Sequence, residues 1–271
     1  MPFATLDAGD IYYEVYGSVS SNRGIPIVIL RPLSRGPIGI GPFIDLLAHR
    51  HPVINYDQRG IGQSPSGNVR SPVPMSARAS EVFELLDALG LSKAHLVCHS
   101  TGCGIGLSMV AARPDRVATI TLVSPWAYGD TYLTRMQNLR VAVARALGPG
   151  DYFRFNVSLL YPPDYRRQHE EGFAQMESAA EGTPVNADSI RNGLIPILAF
   201  DSRPVTAQIK CPALVVVGAD DQLMPPWFGR SMAKDIPNSQ LLEFDNAGHM
   251  ILETRAQDLA ARVLEFLSDE H

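Results

Sequence analysis

Apolar residues arrive along this chain in short, dense runs separated by stretches of helical spacing. The runs Ile25–Leu30, Leu96–Cys98, Val117–Val123 and Ala213–Val217 are nearly continuous. Runs this short and this apolar mark strands buried on both faces. Val53–Asp57 and Gln240–Phe244 complete the set. Between them Val82, Leu85, Leu86 and Leu89 fall at helical spacing, with Gly90 as a stop, and Leu259, Val263 and Phe266 share one face of a closing helix. The N-terminal pattern differs: Phe3–Asp7, a turn at Ala8-Gly9-Asp10 and the alternating Ile11–Tyr16 predict a hairpin. Strands alternating with helices predict an α/β domain, its mostly parallel eight-stranded sheet covered by helices on both faces.

From Ser124 to about Pro204 that alternation stops. Breaks at Gly148-Pro149-Gly150, Pro162-Pro163 and Gly182-Thr183-Pro184 divide an expected run of helices rich in aromatics, among them Trp126 and Tyr161. The predicted organisation is a core domain over residues 1–123, a helical lid over 124–204, and the rest of the core over 205–271. A lid placed there lies over the carboxyl ends of the strands, where such sheets bind ligands.

One strand-to-helix junction carries chemistry. Cys98-His99-Ser100-Thr101-Gly102 joins the Leu96–Cys98 run to a helix carrying Gly104 and Gly106. Small residues around a serine permit a strained turn that lifts the hydroxyl above the sheet. A cysteine stands where the motif usually has its first glycine. A serine hydroxyl is a poor nucleophile without a base, and the base needs a group to orient it. Further along, Gly218-Ala219-Asp220-Asp221 ends one strand and Asn246-Ala247-Gly248-His249 follows the next. The expected set is Ser100, Asp221 and His249, with Asp220 as the fallback acid. His99 adjoins the serine, but the turn aims its side chain elsewhere.

Composition narrows the remaining classes. A formal net charge of −5 with no basic run argues against nucleic-acid partners. No apolar run is long enough to span a bilayer, and the first residues have no signal-peptide pattern. Cys98, Cys103 and Cys211 have neither metal-ligand spacing nor an even disulfide count, so they are read as free thiols in a reducing cytoplasm. No metal set, phosphate-cradling loop or dinucleotide fingerprint is visible, so no cofactor is expected. The expected partner is a small-molecule substrate; the oligomeric state is left open.

Taken together, Asp57-Gln58-Arg59-Gly60-Ile61-Gly62-Gln63-Ser64, the Ser100 junction, Gly218-x-x-Asp221 and Gly248-His249 resemble the α/β-hydrolase superfamily in order and spacing. The likeness is to its small catabolic branch of enol-lactonases, C–C bond hydrolases, cofactor-free haloperoxidases and aminoacrylate hydrolases. Leu160-Tyr161-Pro162-Pro163-Asp164-Tyr165 is reminiscent of the last. The resemblance implies a Ser-Asp-His triad, with the backbone N–H groups of Leu33 and Thr101 forming an oxyanion hole. It also exposes a departure, because the family usually carries His-Gly where this chain has Arg31-Pro32. Arg31 is either a clamp for a substrate carboxylate or half of an internal ion pair with Asp57 or Asp45. Arg31, Trp126 and Tyr161 are the substrate-binding candidates. The expected activity is hydrolysis of a small carboxylic ester or lactone through an acyl-enzyme on Ser100. The alternatives are C–C bond, enamine or amide hydrolysis, a cofactor-free perhydrolase, and a non-catalytic binding member of the fold.

Overall fold

Strand alternation sorts the apolar runs onto two faces, and the sheet they build decides where everything else sits. The structure is a computed structural model that describes residues 3–17, 24–32, 39–67 and 72–269. Its strands are β1 (Phe3–Leu6), β2 (Gly9–Tyr16), β3 (Ile27–Leu30), β4 (Val53–Tyr56), β5 (Ala94–His99), β6 (Val117–Val123), β7 (Ala213–Gly218) and β8 (Ser239–Phe244). They form one eight-stranded sheet in the order β1-β2-β4-β3-β5-β6-β7-β8. β1 and β2 make the expected hairpin, β2 pairs antiparallel with β4, and every other pairing is parallel.

β3 illustrates the sorting. Val28 and Leu30 join one core cluster with Leu96, Cys98, Ile120, Leu122 and Val215, while Ile27 and Ile29 join the other with Val97, Val123, Leu214 and Val216. The first face is covered by α2 (Met75–Ala88), α3 (Thr101–Ala112) and α10 (Pro226–Asp235). On the second lie α1 (Gly41–Ala48), α11 (Ile251–Thr254) and α12 (Ala256–Ser268). β3 begins two residues later than the apolar run because Pro26 has no N–H for the ladder; the Ile27 N–H donates to Pro52 O at 2.8 Å.

Between β6 and β7 the chain forms α4 (Thr131–Ala146), α5 (Pro149–Leu160), α6 (Pro163–Gln168), α7 (Glu170–Ala180), α8 (Ala187–Ala199) and α9 (Arg203–Thr206). The two ends of this segment are fastened to each other. Tyr128 and Asp201 form an antiparallel bridge, and the Ser202 N–H donates to Ala127 O at 2.8 Å. Among the described residues no helix is long and apolar enough to cross a membrane, and Cys98, Cys103 and Cys211 are free thiols.

The Asp57-to-Ser64 motif is a structural knot. Arg59 Nε donates to Glu81 on α2 at 2.7 Å, and its terminal nitrogens donate to Ala8 O and Gly9 O in the hairpin turn. A guanidinium this buried needs hydrogen-bond partners, and α2 and the hairpin turn supply them.

Candidate active site

β5 ends at His99, and Ser100 turns the chain into α3 with φ 53° and ψ −121°. A non-glycine residue held at positive φ is strained and persists only where the surroundings over-determine it. Here Ser100 N–H donates to Val123 O at 2.9 Å on one side, and Cys103 N–H donates to Ser100 O at 2.8 Å on the other. Gly102 faces Leu30 O so closely that a Cβ would collide with it. The cysteine at position 98 has a local compensation as well: its Sγ occupies the space over Gly106, where a Cβ would overlap it.

The acid and the imidazole come from the loops after β7 and β8. Asp221 is 2 % exposed. Its Oδ1 accepts the backbone N–H groups of Leu223 (2.9 Å) and Met224 (2.8 Å), and its Oδ2 accepts His249 Nδ1–H at 2.8 Å. A carboxylate can only accept, so the His249 proton sits on Nδ1 and the free lone pair of the neutral ring sits on Nε2. That nitrogen lies 2.8 Å from Ser100 Oγ, placed to accept its proton. The structure thus brings Ser100, His249 and Asp221 into one hydrogen-bonded line. Asp220 is left half-buried beside it, with its N–H donating to Ala247 O.

The main chain of His249 is held at both ends. Its N–H donates to Leu160 O, at the end of α5, at 2.9 Å. Its carbonyl accepts His99 Nε2–H at 2.8 Å and, more distantly, Ser124 Oγ–H at 3.5 Å. Gly248 makes the first contact possible, since a Cβ there would press into Leu160 O and Pro162. The acid loop touches the same helical segment, with Tyr132 Oη–H donating to Gln222 O at 2.6 Å.

The other expected residues divide. Thr101 opens α3, where the positive end of the helix dipole favours a developing negative charge; Leu33 lies outside the described residues. Trp126 is fully buried, its indole N–H donates to Ile197 O at 3.1 Å, and its ring leans on Phe200. Tyr161 Oη–H donates to Glu253 Oε2 at 3.0 Å. Burial lowers the Arg31 pKa to about 10, and the Asp57 and Glu253 carboxylates oppose this. Burial raises the Glu253 pKa, with Arg31 and His169 pulling it back. Glu253 therefore ties the two candidates together, a role nothing in its local sequence announces. His99 does point away from the serine, as expected, and strand alternation from Val97 places it on the face of the His249 loop, where its ring meets the His249 carbonyl.

An eight-stranded sheet of this order, a strained serine between strand and helix, and an acid and a histidine after β7 and β8 are the marks of the α/β-hydrolase fold. The sequence matches the Alpha/beta hydrolase family over residues 35–262, and the chain belongs to that family. A protein of Azorhizobium caulinodans, provisionally named carbamate hydrolase RutD, is 34 % identical over 253 residues, covering 92 % of this chain and 91 % of the relative. A RutD of a Caulobacter species, named likewise, is 32 % identical over all of this chain and 99 % of its own length. Among solved structures, MGS-M2, an α/β hydrolase from a Medee basin deep-sea metagenome, superposes with a TM-score of 0.89 at 22 % identity, covering 98 % of this chain and 97 % of that one. The enol-lactonase of Burkholderia xenovorans has a TM-score of 0.80 at 23 % identity, over 98 % of this chain and 100 % of the other.

Proposed function

We propose that this protein is a serine hydrolase that cleaves a small carboxylic ester or lactone through an acyl-enzyme on Ser100. The observation that carries the reading is the line from Ser100 Oγ to His249 Nε2 (2.8 Å) and from His249 Nδ1 to Asp221 Oδ2 (2.8 Å). In this mechanism Ser100 Oγ attacks the carbonyl carbon while its proton passes to His249 Nε2. Asp221 keeps Nδ1–H in place and stabilises the imidazolium that results. The oxyanion accepts hydrogen bonds from the N–H groups of Thr101 and, by resemblance, Leu33. Collapse breaks the ester C–O bond, and the departing alkoxide takes the proton from Nε2. A water then gives its proton to His249 and attacks the acyl carbon, and Ser100 leaves with that proton restored.

The helical segment 124–204 acts as a lid that selects substrate. Tyr161 and Arg31 are its polar contacts, and the buried Trp126 supports the site from behind. Reduced thiols agree with a cytoplasmic location. The names of the relatives favour a second reading in which the carbonyl belongs to a carbamate. The same atoms act, and the amine or alkoxide leaving group takes the His249 proton.

Steady-state assays with an ester, a lactone and a carbamate of matched size test both readings. Turnover of at least one is expected, together with a loss of roughly 10⁴-fold or more in Ser100→Ala. Ester or lactone preference supports the first reading and carbamate preference the second. Full activity in Ser100→Ala contradicts both.

A further inference from the structure

His99 is buried, 2 % exposed, on the sheet face where the His249 loop packs. Its ring lies 5.1 Å from the His249 ring, centroid to centroid, with the planes tilted by 39°. The 2.8 Å partner of its Nε2 is the His249 carbonyl oxygen, 150 residues away in sequence. A carbonyl can only accept, so Nε2 carries the proton and the tautomer is fixed. Because His99 is covalently joined to Ser100, this bond links the main chain of the nucleophile to that of the base.

We propose that His99 is a positioning residue, whose Nε2–H holds the His249 main chain so that the imidazole stays at hydrogen-bond distance from both Ser100 and Asp221. The proposal rests on the serine-hydrolase reading of those three residues. Nε2–H can donate in either protonation state, and burial keeps the ring neutral. Burial lowers its pKa to about 3; the titratable His249 ring and the Arg31 guanidinium facing it push the same way, and the hydrogen bond to the His249 carbonyl opposes them. A neutral donor suits this place: the imidazolium formed on His249 during acylation meets no second cation across that 5.1 Å gap. The Ser124 hydroxyl, at 3.5 Å, is too long to hold the carbonyl alone.

The test compares His99→Met, which fills the space without a donor, with His99→Gln, whose amide nitrogen falls where Nε2 was. Two quantities are read: the rate constant for phosphonylation of Ser100 by a fluorophosphonate, counted per site that finally labels, and the low-field proton resonance of His249 Nδ1–H. A merely structural role lowers the number of competent sites and leaves the rate per site alone. His99→Met is expected to slow each site roughly 10- to 100-fold, the scale for a misplaced catalytic group, and to move or broaden the resonance, with His99→Gln restoring both. Should His99→Met not fold, His99→Asn takes its place, its amide stopping short of the carbonyl. An unchanged rate and resonance in the donor-less variant overturns the proposal, as does His99→Gln being as slow as His99→Met. If the wild-type protein does not label at Ser100, the serine-hydrolase reading fails on its own, and the resonance still decides whether His99 sets His249.

Discussion

Asp221 uses both carboxylate oxygens inside the protein, on Leu223, Met224 and His249, whereas the half-buried Asp220 meets the loop only through its backbone. Asp221→Asn presents an amide to Nδ1 and mis-sets the imidazole tautomer. It is expected to lower kcat by about 10⁴-fold, and Asp220→Asn to change it little; steady-state rates on one substrate check this, and the opposite ranking moves the acid to Asp220. His99 makes a second prediction, in stability. Folded, it stays neutral down to about pH 3, whereas a free imidazole titrates near 6.5. Between those values the unfolded chain binds more protons, so stability falls as the pH drops through the window. At ~1.4 kcal/mol per pKa unit the loss reaches several kcal/mol. Urea unfolding at about pH 4 and pH 7 should differ less in His99→Gln than in the wild type, and an equal difference in the two proteins counts against a neutral His99. Neither partnership of His99 or Glu253 was legible beforehand. Each depends on a contact across the fold, and the sequence neighbours of a residue say nothing about which carbonyl or phenol will meet it. For Arg31, Asp57 was named in advance as an internal partner and Glu253 was not.

β5 and α3 meet through a matched pair of small groups, and the match explains the departure from the usual elbow pattern. Cys98 Sγ fills the space that Gly106 leaves open. Gly106→Ala therefore overpacks the interface and is expected to cost about 1–3 kcal/mol. Adding Cys98→Gly should recover much of that loss, giving a coupling of ~0.5–3 kcal/mol in a double-mutant cycle read by denaturant unfolding; strict additivity would mean the two do not share the space. The elements themselves were largely legible. Strands buried on both faces read as unbroken apolar runs, so β3, β6 and β7 stand within two residues of expectation. What the pattern could not supply is how the helices between β6 and β7 pack. Trp126, expected at the substrate, is fully buried, with its indole N–H on Ile197 O. An aromatic in an amphipathic segment reads the same whether it faces a ligand or a neighbouring helix.

At the scale of the whole molecule, one sheet end gathers three loops that are far apart in the chain, and the helical segment is bonded to two of them. Leu160 O receives the His249 N–H, and Tyr132 donates to Gln222 beside the acid. The segment is thus part of the scaffold around the imidazole, and Ser100, Asp221 and His249 are each at most 4 % exposed. Such enclosure would strengthen the charge interactions of the proposed acyl transfer. On the proposed reading, this arrangement makes one serine hydroxyl, among all those in the chain, an activated nucleophile. Intact-protein mass spectrometry after exposure to a fluorophosphonate, followed by peptide mapping, tests it most directly. One adduct per chain is expected, located on Ser100 and absent from Ser100→Ala and, at matched times, from His249→Ala. An adduct on another residue, or equal labelling of the wild-type and Ser100→Ala proteins, would contradict it.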